Sequence, residues 1–313
     1  MNKVIFIFLG IVIGFLASCR KDNTDEKLKE EEDKLAAYMA DHPDAVKVNG
    51  YEAYVVTTKK QDEGAKVDAG DYILWNYTVK NFETGETEYT SNKTSNIIYQ
   101  NSYVYGGPEL TLVLTSALDE GIKLLKKGES GDIYIPSRYI FADFQTRIWK
   151  VEIVNVITDL NVYQKSLMYN YLREINFQNT GLSSVDTIKN VESSIDNKKY
   201  DVLFYIVDQG DETTPITPET TKIETRTSAA YTIQEGVVHS FVSESDFSWS
   251  STSTKTKTDC VGEILRKMNK GGKVIIAMPH ILYYGEEPFL DDKKMQIVVP
   301  MKSVLIFTIT IKA

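Results

Sequence analysis

The chain repeats itself, and nothing else in its 313 residues constrains its fold as much. Leu118, Ile122 and Leu125 recur at i, i+4 and i+7, which is one face of a helix. Val261, Leu265 and Met268 form the same stripe 143 residues later, and Gly271 follows Gly128 at the same offset. The first copy, Thr115 to Gly128, has a Thr or Ser cap, acids in its first turn, lysines in its last and a glycine stop. The second starts near Asp259. Repetition on this scale implies one structural plan built twice rather than a single large core.

The strand after each helix also repeats. Gly131 to Pro136 and Lys273 to Pro279 are apolar strands ending in proline, with the two prolines again 143 residues apart. Each copy closes on an alternating strand. Trp149, Val151 and Ile153 face one way against Lys150 and Glu152, and Leu305, Phe307, Ile309 and Ile311 alternate with Thr308 and Thr310. Between Trp149 and Phe307 the offset has grown to 158, so the second copy holds a longer intervening loop. Upstream, Tyr54-Val55-Val56 and Tyr205-Ile206-Val207 read as matching opening strands, each after a helical segment. The second of those segments carries Met168, Leu172 and Ile175 on one face. The expectation is an α+β chain with domains at 49–158 and 198–313 and a helical linker at 159–197. Cores of about 110 residues are large enough to fold.

The N-terminus reads as a processing segment. Lys3 precedes an apolar run, Val4 to Phe15, that is short of the roughly 20 residues a membrane span requires. Leu16-Ala17-Ser18-Cys19 is similar to the lipobox of bacterial lipoproteins. That likeness implies removal of residues 1–18, lipid on Cys19, and attachment to a cell-envelope membrane, the outer membrane being favoured, on its periplasmic or surface face. An ordinary secretory signal or a short anchor helix is the alternative. Cys19-Arg20-Lys21-Asp22 also resembles the charged surface-export signals of lipoproteins in the Bacteroidetes. Residues 19–48 then form a tether and a helix with Leu28, Leu35 and Met39 on one face.

Composition narrows the chemistry. Lys+Arg 35 against Asp+Glu 44 gives a net charge of −9, which leaves no basic footprint for nucleic acid. His42, His239 and His280 show no ligand spacing, so neither metal nor other cofactor is expected. Cys260 stands in the first turn of a helix and reads as a buried thiol. His42-Pro43-Asp44 matches the tripeptide of J-domains, but a strand-like segment comes too soon for a second helix, and Pro43 reads as a helix end. The Ser- and Thr-rich stretch from Ser248 to Thr258 reads as a solvated hairpin loop.

The order of strand, helix ending in Lys-Gly, strand ending in apolar-Pro, aromatic loop and final strand resembles the FKBP-type peptidyl-prolyl cis-trans isomerases. In the first copy the resemblance runs through Gly70-Asp71, Tyr77-Thr78, Gly85, Glu88 to Ser91, Ile135-Pro136-Ser137 and Trp149 to Ile153. In the second it runs through Met278-Pro279, Tyr283-Tyr284-Gly285 and Pro300 to Ile311. It implies two FKBP-like domains, each a curved antiparallel sheet wrapped on a short helix, and polypeptide clients bearing X-Pro bonds. Twisting such an amide breaks its resonance against a barrier of about 18–20 kcal/mol. No nucleophile is needed: a dry aromatic pocket favours the twisted form and a few donors orient the flanking carbonyls.

Carried over by this resemblance, Tyr77, Leu118, Phe141 and Trp149 line a substrate pocket in the first copy. Leu118 stands where the family has a floor Trp, Thr90 where it has an Asp, and Phe141 where it has a Tyr, so this copy reads as degenerate. In the second copy Tyr284 and Phe307 are the expected catalytic residues, with Val261 at the floor. Arg226 falls near the place of the pocket Tyr and His239 near that of the acid. Aromatic residues at period 2 in a strand are also ordinary core, so Trp75, Trp149 and Phe307 carry that reading beside the functional one. A binding or structural protein that keeps the fold without catalysis is the rival expectation.

Overall fold

Strands with apolar residues on both faces need cover on both sides, and each copy of the repeat supplies it. The computed structural model describes residues 23–91, 97–99, 103–106, 110–113, 116–140, 143–179, 185–216, 222–250, 259–285, 289–291 and 296–312. The first copy runs α1 (Thr24–Ala40), β1 (Val46–Lys47), β2 (Tyr54–Lys59), β3 (Tyr72–Asn81), β4 (Thr87–Thr90), β5 (Ile97–Tyr99), β6 (Tyr103–Gly106), β7 (Leu110–Val113), α2 (Ser116–Ile122), β8 (Ser130–Ile135) and β9 (Arg147–Ile157). The second runs α3 (Leu160–Asn179), β10 (Asp186–Glu192), β11 (Lys199–Asp208), β12 (Lys222–Gln234), β13 (Val237–Ser250), α4 (Asp259–Leu265), β14 (Lys273–Pro279), β15 (Phe289–Asp291), β16 (Gln296–Val299) and β17 (Val304–Ile311).

The protein is α+β: among the described residues there are two large antiparallel sheets, two two-stranded sheets, β6-β7 and β15-β16, and few helices. The strand orders of the large sheets correspond: β1-β2-β8-β9-β3-β4, with β5 also on β3, against β10-β11-β14-β17-β12-β13. Helices α2 and α4 begin and end 143 residues apart, as do the 3-10 turns Ser137–Tyr139 and His280–Leu282. Register repeats too. Trp149 pairs with Ile133 and Val79, and Phe307 pairs with Ile276 and Ala229. The opening strands match with a two-residue slip from the sequence expectation: Val56 opposite Asp132 corresponds to Tyr205 opposite Ile275.

Helix α2 is shorter than its sequence suggests. Leu124 and Leu125 donate to the carbonyls three residues back, so the chain leaves the helix in tight turns. The Glu129 carboxylate holds that exit by accepting the backbone N–H groups of Lys126 at 2.8 Å and Gln61 at 3.2 Å. Leu118, Ile122 and Leu125 are nonetheless all buried, as are Val261, Leu265 and Met268.

Alternation along the strands divides each sheet into two apolar faces. In the first copy Val55, Ile133, Trp149 and Val151 pack with α2, while Tyr54, Tyr134 and Ile148 turn to Leu35 and Met39 of α1. In the second, Phe204, Ile276 and Phe307 pack with α4, while Leu203, Ile275 and Ile306 turn to Met168 and Leu172 of α3. Helix α3, read from sequence as a linker, therefore covers the second sheet as α1 covers the first. A polar side chain one turn before each stripe marks the same equivalence. Buried Glu31 accepts the Ser137 backbone N–H at 2.8 Å, the Ser137 hydroxyl at 2.6 Å and the Thr146 hydroxyl at 2.8 Å. Buried Gln164 donates to the Lys302 carbonyl at 2.7 Å and the Ser303 carbonyl at 3.2 Å, in the corresponding turn.

The two copies share buried surface. Leu74 and Ile157, on the outer face of the first sheet, belong to the same apolar cluster as Tyr200, Val202 and Trp249. Tyr163 of α3 donates its hydroxyl to the Ile233 carbonyl at 2.9 Å, fixing the helix to β12. No helix among the described residues is long and apolar enough to cross a membrane, and residues 1–22, including Cys19, lie outside them.

Candidate functional site

The inner faces of the two sheets are filled differently. In the first copy Trp75, Tyr77, Leu118 and Trp149 are all at most 3% exposed. The Trp75 and Trp149 indoles lie parallel with centroids 6.4 Å apart, and the Tyr77 ring sits 4.8 Å from one and 5.3 Å from the other. Tyr77, Leu118 and Trp149, three of the four residues carried over as pocket lining, are thus brought together as part of the core. Burial pushes the Tyr77 hydroxyl up to about 12, so it stays protonated at neutral pH. Thr90 is exposed and donates its hydroxyl to Thr78 at 3.3 Å. Phe141 lies outside the described residues.

Register shows what the second copy puts in the same places. Trp75 and Tyr77 pair with Ile153 and Val151, and the corresponding pairs are Thr225 with Ile311 and Thr227 with Ile309. Two buried threonines, with hydroxyls 3.1 Å apart, therefore replace an indole and a phenol. Arg226, expected near the pocket Tyr, points instead to the exposed face, 3.8 Å from Asp246. The vacated volume is met from the neighbouring strand. Trp249 of β13 pairs with Ile223, is 2% exposed, and crosses Phe307 edge-on at 6.4 Å. The Ser- and Thr-rich run expected to be a solvated loop thus begins as strand and supplies a core indole.

From Trp249 a continuous row of rings reaches the surface. Phe307 lies 5.1 Å from Tyr283, which meets Tyr284 edge-on at 4.8 Å. Tyr284 stacks on Phe289 at 4.8 Å, and Phe289 lies 6.3 Å from Phe241, itself 6.3 Å from Tyr231. Val261 and Phe307 are buried, Tyr283 and Tyr284 half-buried, and Phe289 is exposed. The row runs from a closed floor to an open end, whereas the first copy's cluster is closed throughout. His239 stacks on Tyr231 at 5.0 Å and pairs with it across the strands, whereas the register of Thr90 falls in the second copy between Val242 and Ser245, away from the place the resemblance implied for His239.

Local chemistry fixes the loop that carries the two tyrosines. Tyr283 and Tyr284 both donate their backbone N–H to the His280 carbonyl, at 3.0 and 2.9 Å. His280 Nδ1 meets the Gly285 carbonyl at 3.0 Å, and Gly285 has φ 79°, a left-handed conformation that favours glycine. Burial raises the Tyr283 hydroxyl, and burial with Tyr283 alongside pushes Tyr284 up to about 12. Both are neutral donors at physiological pH. Trp249 Nε1, like Trp149 Nε1 in the first copy, is a buried donor with no hydrogen-bond partner among the described residues, an arrangement that costs about 1–3 kcal/mol.

The sequence points to Tyr284, Phe307 and Val261 and marks Tyr283 only as a neighbouring loop aromatic, while nothing in it singles out Phe289 or Trp249. Tyr283 is the tyrosine that touches Phe307, while Tyr284 reaches Phe289 and His280. Adjacency of two tyrosines in one loop was visible, but which of them points inward is set by the 3-10 turn. No group of acids, histidines and cysteines among the described residues could hold a metal.

No family model and no curated protein sequence matches the chain. Among solved structures, a peptidyl-prolyl cis-trans isomerase from Pseudomonas syringae pv. tomato is 16% identical, covering 43% of this chain and 96% of that one at a TM-score of 0.34. The three FKBP domains of wheat FKBP73 are 15% identical over 86% of this chain and 98% of that one, at a TM-score of 0.28. FkpA from Escherichia coli is 14% identical over 50% of this chain and 73% of that one, at 0.34. At such identities the likeness is one of fold alone.

Proposed function

We propose that this chain binds extracytoplasmic polypeptides at proline through its second copy, and isomerises the X-Pro bond there as FKBP-type enzymes do. One observation carries the reading: the second copy's ring row opens from Val261 and Phe307 to exposed Phe289, while the first copy's rings are sealed. A pyrrolidine ring is apolar, and seating it on Phe307 and Tyr283 removes water from the amide to be twisted. The protonated Tyr284 hydroxyl is the donor that would orient a flanking carbonyl. The first copy serves as a structural partner, contributing Leu74 and Ile157 to the second core. Lipid on Cys19 would hold the protein at the cell envelope, with the outer membrane as the favoured site.

The test is a protease-coupled assay on an X-Pro peptide with wild type, Tyr284→Ala and Phe307→Leu. Acceleration by wild type that falls at least tenfold in both variants supports the proposal. An uncatalysed rate in wild type contradicts catalysis. For the anchor, Cys19→Ala releases the protein from membranes into the soluble fraction; unchanged membrane association contradicts lipidation.

A second reading, proline binding without catalysis, has its own support. Val261 occupies the floor position and Thr227 the register of Tyr77, so two aromatic walls that the resemblance expects are absent. Saturable peptide binding with no rate acceleration selects it.

A further inference from the structure

A second concavity lies where the two copies meet, a cleft of about 440 Å³. It is bordered by the start of β3, the β9–α3 junction, the β10–β11 turn, the β16–β17 turn and the loop that carries Tyr283 and Tyr284. His280 and Gly285 of that loop line it, and the His280 ring also lies 5.4 Å from Tyr284. One imidazole therefore separates the aromatic row from the cleft.

The charges in the cleft are unequally committed. Asp159 caps α3, accepting the Val162 backbone N–H at 3.0 Å. Asp196 accepts the Tyr200 hydroxyl at 2.6 Å and the Lys198 backbone N–H at 3.2 Å. Both acids keep their charge but use their lone pairs within the fold, so the cleft is balanced overall with its ammonium groups the less committed side. Lys198 is mostly exposed and reaches Asp196 only at 3.9 Å, while Lys302 makes no ion pair among the described residues. The first turn of α3 also lines the cleft, its partial positive charge met by the capping Asp159 carboxylate.

Lys302 is held there deliberately. Its φ is 61°, in the left-handed region that costs a non-glycine residue about 1 kcal/mol or more. Buried Gln164 grips its carbonyl at 2.7 Å. The neighbouring Ser303 carbonyl accepts the His280 backbone N–H at 3.0 Å, tying the Lys302 turn to the tyrosine loop. At the same turn of the first copy Phe144 has φ 64° and lies under Lys27. The conformation belongs to the repeat; the lysine belongs to the second copy.

We infer that this cleft receives the polar residues flanking a client's proline, and that Lys302 selects an acidic residue there. The inference rests on the second copy being the proline site. Two extended residues span roughly 7 Å, enough to carry a chain from Tyr284 past His280. Lys302, its backbone held by the turn and its ammonium without an ion pair among the described residues, then meets a carboxylate with Lys198 beside it.

The experiment uses the full chain and fluorescent peptides with an Ala-Leu-Pro-Phe core. Each carries Gly-Glu-Glu or Gly-Gln-Gln at its N- or C-terminal end. Fluorescence anisotropy at low salt is expected to show one glutamate-tailed peptide binding about five- to tenfold tighter than its glutamine twin. That preference disappears in Lys302→Gln, reverses in Lys302→Glu and fades at high salt, while the untailed core binds all three proteins equally. Equal affinity of acidic and neutral tails for wild type, or a preference that survives Lys302→Gln, overturns the inference and leaves the proline site standing. Failure of the untailed core to bind wild type overturns the proline site, and the inference with it. Unchanged circular dichroism melts of the variants exclude misfolding as the cause.

Discussion

Trp149 and Phe307 hold the same register in two copies of one sheet, the first opposite Ile133 and the second opposite Ile276. Around Trp149 the cross-strand positions carry Trp75 and Tyr77; around Phe307 they carry Thr225 and Thr227. That exchange is the physical difference between a sealed core and a row of rings with an open end. In the second copy Trp249 arrives from the edge strand and Tyr283 from a loop, so the ring contacts of Phe307 come from two different elements.

Substitution at the two positions should therefore have different consequences. Trp149→Phe creates a cavity in a closed core and costs about 1–3 kcal/mol, read as a lowered denaturant midpoint, with peptide binding unchanged. Phe307→Leu costs about 1–2 kcal/mol but weakens binding of an X-Pro peptide at least tenfold. Parallel denaturation and binding titrations of both variants separate the two effects.

Glu31 tests whether α1 is integral to the first copy. Its carboxylate accepts three hydrogen bonds from Ser137 and Thr146 while buried. Glu31→Ala leaves those donors without an acceptor, and the expected loss is about 2–4 kcal/mol. Glu31→Gln retains part of the contact and loses less. A loss below about 0.5 kcal/mol in Glu31→Ala would mean that the helix is only laid against the sheet.

Asp119 gives the stability a pH dependence. Burial, with Glu120 adding to it against opposing Lys123, pushes its carboxyl up to about 6 from an ordinary 3.8. Its Oδ1 is buried with no hydrogen-bond partner among the described residues. The folded chain holds this proton up to about pH 6, whereas the unfolded chain releases it near 3.8. Folding therefore loses stability as pH rises through that window. With solvent screening at a half-exposed group, the loss is about 1–2 kcal/mol. Asp119→Asn is expected to raise the melting temperature at pH 7 and leave it little changed at pH 4.

The shared interface predicts coupled unfolding. Leu74→Ala, made in the first sheet, is expected to cost about 2–4 kcal/mol. Hydrogen exchange should quicken in β11 of the second copy as well as in β3, because Leu74 shares one apolar cluster with Val202 and Phe204. Exchange confined to β3 would show that the two copies unfold independently.

The inner faces of the sheets were legible from sequence because a two-residue period and a three-to-four-residue period leave distinct marks. Leu118, Ile122 and Leu125, and their partners 143 residues on, lie in the cores as their spacing required. The outer helices were harder to match. Leu35 and Met39 correspond to Met168 and Leu172, but the loops between helix and sheet differ in length, so their offset is 133 rather than 143. Trp249 stayed hidden because one apolar residue among serines and threonines sets no period. Tyr283 and Tyr284 could be seen as a pair, yet a two-residue choice of direction depends on hydrogen bonds to His280 that no local pattern encodes.

Action of the second copy's open ring row on proline is read out by cis–trans exchange spectroscopy of an Ala-Leu-Pro-Phe peptide. Wild type and Trp149→Phe should accelerate exchange to a similar degree, and Phe307→Leu should bring it back near the uncatalysed rate. Exchange that is unaccelerated by wild type, or equally fast with Phe307→Leu, would contradict the assignment of isomerisation to this row.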